Sequence, residues 1–247
     1  MTSTLLPSHI RPVSMPPRVT VREAQTLDRD GLRTFRRAAR FTPYFALFYT
    51  LLFTGARRSE VLALRWKDMD LDMGEITIAR ALHHLRNGTT VIRAPKSAKG
   101  RRSIPLPPSA TLVLRQHKHV QAADRLTLCG VAPSSSDFVF AQFDGRPWLP
   151  DTVSAGWRKL ARKSGFVGIR LHDARHTHAT LMLKDGFHPK IVQERLGHAS
   201  IQITLDTSSH VSPSLQRSAA ERFDADVGNP EQEAGLVEPA ELLLGPD

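Results

Sequence analysis

Arg57, Lys96, His172, Arg175 and His198 are the residues whose types and surroundings could do chemistry. Arg57 sits in Thr54-Gly55-Ala56-Arg57-Arg58-Ser59-Glu60, and Lys96 in Pro95-Lys96-Ser97-Ala98-Lys99-Gly100-Arg101-Arg102-Ser103-Ile104-Pro105-Leu106. His172 and Arg175 share Leu171-His172-Asp173-Ala174-Arg175-His176-Thr177-His178, and their i,i+3 spacing puts both on one helix face. His198 closes Leu196-Gly197-His198. Two guanidinium groups can each grip phosphate oxygens through paired hydrogen bonds. A lysine can protonate a leaving oxygen, and two histidines can donate hydrogen bonds or move protons. The set suits a phosphodiester passing through a five-coordinate, more negative transition state. No acidic cluster accompanies it to hold magnesium, so the residues favour a metal-free reaction without a cofactor.

Each residue also has a plainer use. Arg57 and Arg58 alone would read as a surface pair, Lys96 and Lys99 as hairpin-tip lysines, and His198 as a helix C-cap. His172 and His176, four apart, imitate half a zinc site, but no matching cysteine or carboxylate pair accompanies them. Glu60 is expected to complement a helix dipole, Asp173 to support a helix start, and His176 and His178 to pack or bond locally.

These residues need a scaffold, and the patterning predicts a mainly helical one with a small three-stranded antiparallel sheet (α+β). Residues 21–40 read as a charged helix or helix pair broken near Asp30-Gly31. The all-apolar run Tyr44–Phe53 reads as a fully buried helix, started by Pro43 and ended by Thr54-Gly55. A short helix is expected at 59–64. Alternation at 75–80, with shorter candidates at 90–93 and 102–106, predicts the three strands. Helices are then expected at 109–123, 152–163 behind Asp151 as N-cap, 172–184, 189–196 and 200–207. Gly197 stands where a helix-terminating glycine belongs.

Composition bounds the partners. Lys plus Arg number 34 against 24 Asp plus Glu, a net charge of +10. Residues 221–247 hold eight carboxylates against Arg222 alone, a net of −7, which leaves +17 on residues 1–220. A body that basic points to a polyanion, whose counterions are released on binding. Cys129 is the single cysteine, which excludes a disulfide scaffold and a cysteine-rich metal site. No apolar run approaches the ~20 residues of a membrane span, and the N-terminus lacks a signal-peptide pattern, so a cytoplasmic protein is expected.

The order TGARRSE, PKSAKGRRSIPL, LHDARHTHAT and RLGHASIQITLDT resembles the catalytic domain of the tyrosine recombinase (phage integrase) family. The likeness runs over roughly residues 21–211. It implies a site-specific recombinase domain of mobile genetic elements. Such domains act in DNA integration and recombination by breaking and rejoining double-stranded DNA through a covalent 3′-phosphotyrosyl link, without metal or nucleotide. On that likeness Arg57 and Arg175 match the phosphate-clamping arginines, Lys96 the hairpin lysine acid, and His172 and His198 the two histidines. Arg58, Lys99, Arg101 and Arg102 are expected to contact DNA. The implied organisation is a proline-rich lead-in at 1–19 and a catalytic domain at 20–211. A C-terminal helix at 212–223 follows, which in similar recombinases docks on a neighbouring protomer, and then an acidic tail at 224–247. Only about 20 residues precede the first expected helix. The N-terminal half of the family's DNA clamp is therefore not expected within this sequence, and DNA binding is expected to be salt-sensitive.

One position departs from the family. Where its motif reads T-L-D-T-Y-S-H, this chain has Thr204-Leu205-Asp206-Thr207-Ser208-Ser209-His210, so Ser208 stands in the nucleophile's place. A serine hydroxyl lies roughly 4 Å nearer its backbone than a tyrosine's, and misplacement by ~1 Å can cost about a hundredfold. An aliphatic hydroxyl is also far less acidic than a phenol. Tyr44 and Tyr49, the two tyrosines of the sequence, both fall in the expected buried helix.

Overall fold

A computed structural model describes residues 25–85, 87–94, 101–198 and 200–206. Helix α1, Arg29–Ala39, starts where Asp28 accepts a hydrogen bond from Gly31 N, so Asp30 and Gly31 open the helix and do not break it. α2, Phe45–Thr54, is buried on nearly all sides and stops at Gly55, whose φ of 64° is left-handed. α3, Arg58–Val61, follows with Arg57 as its N-cap.

Strands β1 (Met69–Asp70), β2 (Glu75–Ile78), β3 (Ala81–His84), β4 (Thr90–Arg93) and β5 (Arg102–Pro105) form two antiparallel ladders. β1, β2 and β5 make a three-stranded sheet, with Ile76 opposite Ile104 and Thr77 opposite Ser103. β4 does not join it. It pairs with β3 in a separate hairpin, so the expected sheet of 75–80, 90–93 and 102–106 is corrected in its membership.

The remaining helices are α4 (Pro108–Cys129), α5 (Pro150–Lys163), α6 (Asp173–Lys184), α7 (Pro189–Leu196) and α8 (Ile201–Asp206). α4 runs six residues beyond its expected end and exposes Leu112 and Val120. α5 begins with Pro150 in its first turn and Leu149 as N-cap, so Asp151 lies inside the helix and does not cap it.

One aromatic knot ties α1, α2 and α5. The Trp157 ring lies 4.3 Å from Phe35 and 5.1 Å from Phe48, centroid to centroid, and all three are fully buried. Tyr44 at the start of α2 packs edge-on against Trp148 and covers Gly156, where a Cβ would sit 2.7 Å from its ring. Burying this face fixes α2 against α5 and aims the C-terminal end of α2, with Gly55, at α6 and α7. Among the described residues no helix is long and apolar enough to cross a membrane.

Candidate functional site

The site forms where the end of α2, the start of α3, the start of α6 and the end of α7 meet. Gly55 makes this junction possible. A Cβ there would lie 2.5 Å from Leu196 and 2.7 Å from His178, on a backbone conformation that side chains disfavour. The Gly55 carbonyl accepts a 2.8 Å hydrogen bond from Arg175 Nη1.

Arg175 is 4% exposed, and its Nη2 is buried with no hydrogen-bond partner among the described residues. Burial pushes its guanidinium down to about 9, and the positive charges of Arg57 and Arg102 push the same way against the pull of Glu60. Arg175 thus remains charged near neutrality while its surroundings offer it too little negative charge.

Arg57 is held by Glu60 at two points. Its backbone N–H donates to Glu60 Oε2 and its Nη1 to Oε1, both at 2.8 Å. Nη2 reaches Gly197 O at 3.3 Å, while 40% of the side chain stays exposed. Glu60 is itself buried and takes Arg102 Nη2 at 2.8 Å and Nη1 at 3.2 Å. Burial alone would raise the Glu60 carboxyl. The Arg102 hydrogen bonds and charge, then those of Arg57, outweigh burial and hold it below the ordinary range. Glu60 was expected to serve a helix dipole; it does sit in the first turn of α3, but its larger role is to join α3 to β5.

His172 is exposed at the position just before α6, and its ring meets that of His176 edge-on at 5.0 Å. Partial burial, then His176 and Arg175, lower the His172 imidazole below its ordinary value. His198 is 8% exposed, with Nδ1 2.8 Å from Thr204 Oγ1. Burial, then Arg175 and Arg57, push it down to about 4, so it is neutral at pH 7. Arg57 and Arg175 lie close enough to act electrostatically on both His172 and His198, and Arg57 acts on Arg175 as well.

The other expected contacts are placed differently. Arg102 is turned inward, with a 7% exposed side chain committed to Glu60 and to Arg195 O. Arg58 bends toward α5, donating to Pro150 O and Ser154 Oγ. Arg101 is exposed beside a cavity of about 620 Å³ that His198 also lines. Lys96, Lys99, Ser208 and His210, and the segments 1–19 and 212–247, lie outside the described residues. Asp173 accepts a hydrogen bond from Arg170 N at 2.7 Å, bracing the entry to α6.

Arg195 carries no signal of its own in the sequence, and His178, expected to pack or bond locally, bonds instead to residues of α2 and α7. Arg195 donates from Nε to His178 Nε2 at 3.0 Å and from Nη2 to Phe53 O and Pro105 O. That leaves His178 Nδ1 as the donor to Leu52 O, 3.0 Å away. Together they bind α7 and α6 to the last turn of α2, and burial with Arg195 nearby pushes His178 down to about 4.

The molecule is a mainly helical domain with small antiparallel sheets, in which two arginines and two histidines come together where helix ends meet. The phage integrase family matches residues 31–213, and the chain belongs to that family. It is 32% identical over 181 residues to the ICEBs1 integrase of Bacillus subtilis strain 168, covering 73% of this chain and 48% of that protein. It is 27% identical over 212 residues to a XerC-like tyrosine recombinase of Caldanaerobacter subterraneus subsp. tengcongensis, covering 82% of this chain and 54% of the relative. The chain therefore spans about half the length of these curated relatives. A Tn1549 transposon integrase, solved in complex with transposon right end DNA, superposes with a TM-score of 0.69 at 22% identity. That superposition covers 82% of this chain and 67% of the solved one. XerA recombinase gives a TM-score of 0.63 at 24% identity, covering 82% and 66%. The fold is that of the tyrosine recombinase catalytic domain.

Proposed function

We propose that this chain binds duplex DNA and cradles a backbone phosphodiester between Arg57 and Arg175, with His172, His198 and Lys96 completing the site. The observation that carries this reading is Arg175: a buried cation with one nitrogen unpartnered among the described residues, crowded by Arg57 and Arg102. A phosphate supplies the missing charge and the missing acceptor. His198, neutral at pH 7, is suited to donate a hydrogen bond to a phosphate oxygen without adding a third full charge. The solved relatives in complex with DNA add support.

In the reaction of this family a hydroxyl oxygen attacks phosphorus, and the 5′ oxygen leaves with a proton. Lys96 is the residue assigned to donate that proton. Ser208 occupies the nucleophile's position. Tyr44 lies at the far end of α2 from Gly55, and Tyr49 is buried against Phe45 and Phe53, so neither serves the site. Strand cleavage by the chain alone is therefore impaired, and exchange depends on a nucleophile supplied by an associated recombinase copy. The absence of tyrosine at 208 equally favours a second reading, a non-catalytic DNA-binding remnant or regulator of a related integrase.

Nicked duplexes incubated with the wild-type chain and with Ser208→Tyr, followed by denaturing separation, test both. No covalent adduct is expected from the wild type, and a 3′-linked adduct is expected from the variant. A robust wild-type adduct at Ser208 would overturn the impairment. A folded, DNA-binding Ser208→Tyr variant that forms no adduct would establish the second reading.

A further inference from the structure

We infer that the outer face of α1 is a second phosphate-binding surface for duplex DNA, separate from the cradle; this rests on the DNA-binding reading above. Arg29, Arg33, Arg36 and Arg40 recur along this helix at intervals that place them within one sector of about 60°. Gly31, Phe35 and Ala39 take the opposite, buried side. From Arg29 to Arg40 the helix rises about 16 Å, the reach of several successive phosphates on one strand.

The fold does not need this stripe. Arg36 and Arg37 in the last turn complement the helix dipole, but Arg29 and Arg33 sit toward the N-terminal end, where positive charge opposes it. Arg29/Arg33 and Arg36/Arg40 are like-charge pairs four apart, which repel. Arg29 is paired with Asp185 and Arg33 with Asp30, both exposed and weakly held. Arg36, Arg37 and Arg40 are exposed and form no ion pair among the described residues. Charge that costs the fold stability and lacks an internal partner is suited to an external anion.

The shape agrees. Arg29, Arg33 and Arg36 rim a recess of about 260 Å³ floored by Leu32, Phe53 and Leu181, with Asp185 at its edge. That volume accepts a phosphate group with its water. Asp185 lies ten residues past Arg175, just beyond α6 and about 15 Å along the helix direction, so phosphates held by the stripe would be other than the one in the cradle.

The test is fluorescence anisotropy of a non-specific 30-bp duplex (about three helical turns) against the full chain, titrated from low to moderate salt. Three proteins are compared: wild type, the triple variant Arg33→Gln, Arg36→Gln and Arg40→Gln, and a control losing the same charge at Lys67→Gln, Lys159→Gln and Lys163→Gln. The α1 variant is expected to bind at least about tenfold more weakly near physiological salt. The slope of log affinity against log salt should fall by about 2–3, at ~0.9 per phosphate contact. Its thermal midpoint should be unchanged or raised, because repulsion within α1 is relieved. An equal loss in the control would reduce the effect to net charge and overturn the inference. Unchanged or tighter binding by the α1 variant, as expected if the chain's own acidic 221–247 segment covers the stripe, would also overturn it. An Arg175→Gln variant run alongside separates the two readings: if it loses affinity while the α1 variant does not, only the α1 surface fails. If wild type does not bind DNA at all, the cradle reading fails as well.

Discussion

Arg102 and Arg175 are both buried arginines within one site, and they live in opposite circumstances. Arg102 meets Glu60 through two nitrogens and donates its third to Arg195 O. Arg175 has one carbonyl, one unpartnered nitrogen among the described residues, and two cationic neighbours. A buried charge that is paired holds structure together, whereas one left short of counter-charge is, on the function proposed above, open to an incoming phosphate. The first region is a joint between α3 and β5; the second is a socket.

Breaking the joint gives the largest expected effect. Glu60→Gln removes the buried negative charge that Arg102 and Arg57 share and leaves one acceptor oxygen where there were two. Equilibrium urea unfolding should show a loss of about 3–5 kcal/mol. Arg175→Gln should do the reverse, removing an uncompensated charge at little cost in unfolding free energy. Its DNA affinity should fall about 10–100-fold, the worth of two charge-assisted hydrogen bonds. If the two substitutions had similar effects on stability, the contrast between joint and socket would collapse.

The histidines on either side sharpen the same contrast. His178 and His198 are both pushed down to about 4 from an ordinary 6.5. The unfolded chain therefore takes up these protons first as pH falls. The stability each contributes is complete above about 6.5 and is lost progressively down to about 4, amounting to about 2 kcal/mol per histidine at pH 5. Urea midpoints between pH 7.5 and 5 check the loss. With duplex DNA bound, an NMR titration should find His198, beside the socket, raised well above 4. His178, locked between Arg195 and Leu52, should stay where it is.

Much of this was legible from residue order. The apolar run at 44–53 could only be a buried helix, and Gly55 and Gly197 ended their helices where they were expected to. Arg57, His172, Arg175 and His198 are scattered over 142 positions, and the structure brings them to one junction of helices. What escaped was set by partners far along the chain. Glu60 carries a dipole-like position locally, and nothing near it announces Arg102, 42 residues on. Arg102 itself reads as one of a run of surface cations until β5 turns it inward. The strand at 90–93 was visible, but its partner at 81–84 has one buried position and two exposed histidines, too weak a pattern to compete with 75–78. Asp30-Gly31 resembles a turn, yet Gly31 is there for closeness: a Cβ would meet Asp28, Leu27 and Phe166 at 3.0–3.3 Å.

Gly55 closes α2 with its amide, donating to Leu51 O, and holds Arg175 with its carbonyl. The two faces of a single residue are thus shared between a helix end and a guanidinium. Fraying of the last helical turn would therefore displace the carbonyl that anchors the arginine, so the placement of the socket depends on the integrity of a helix terminus.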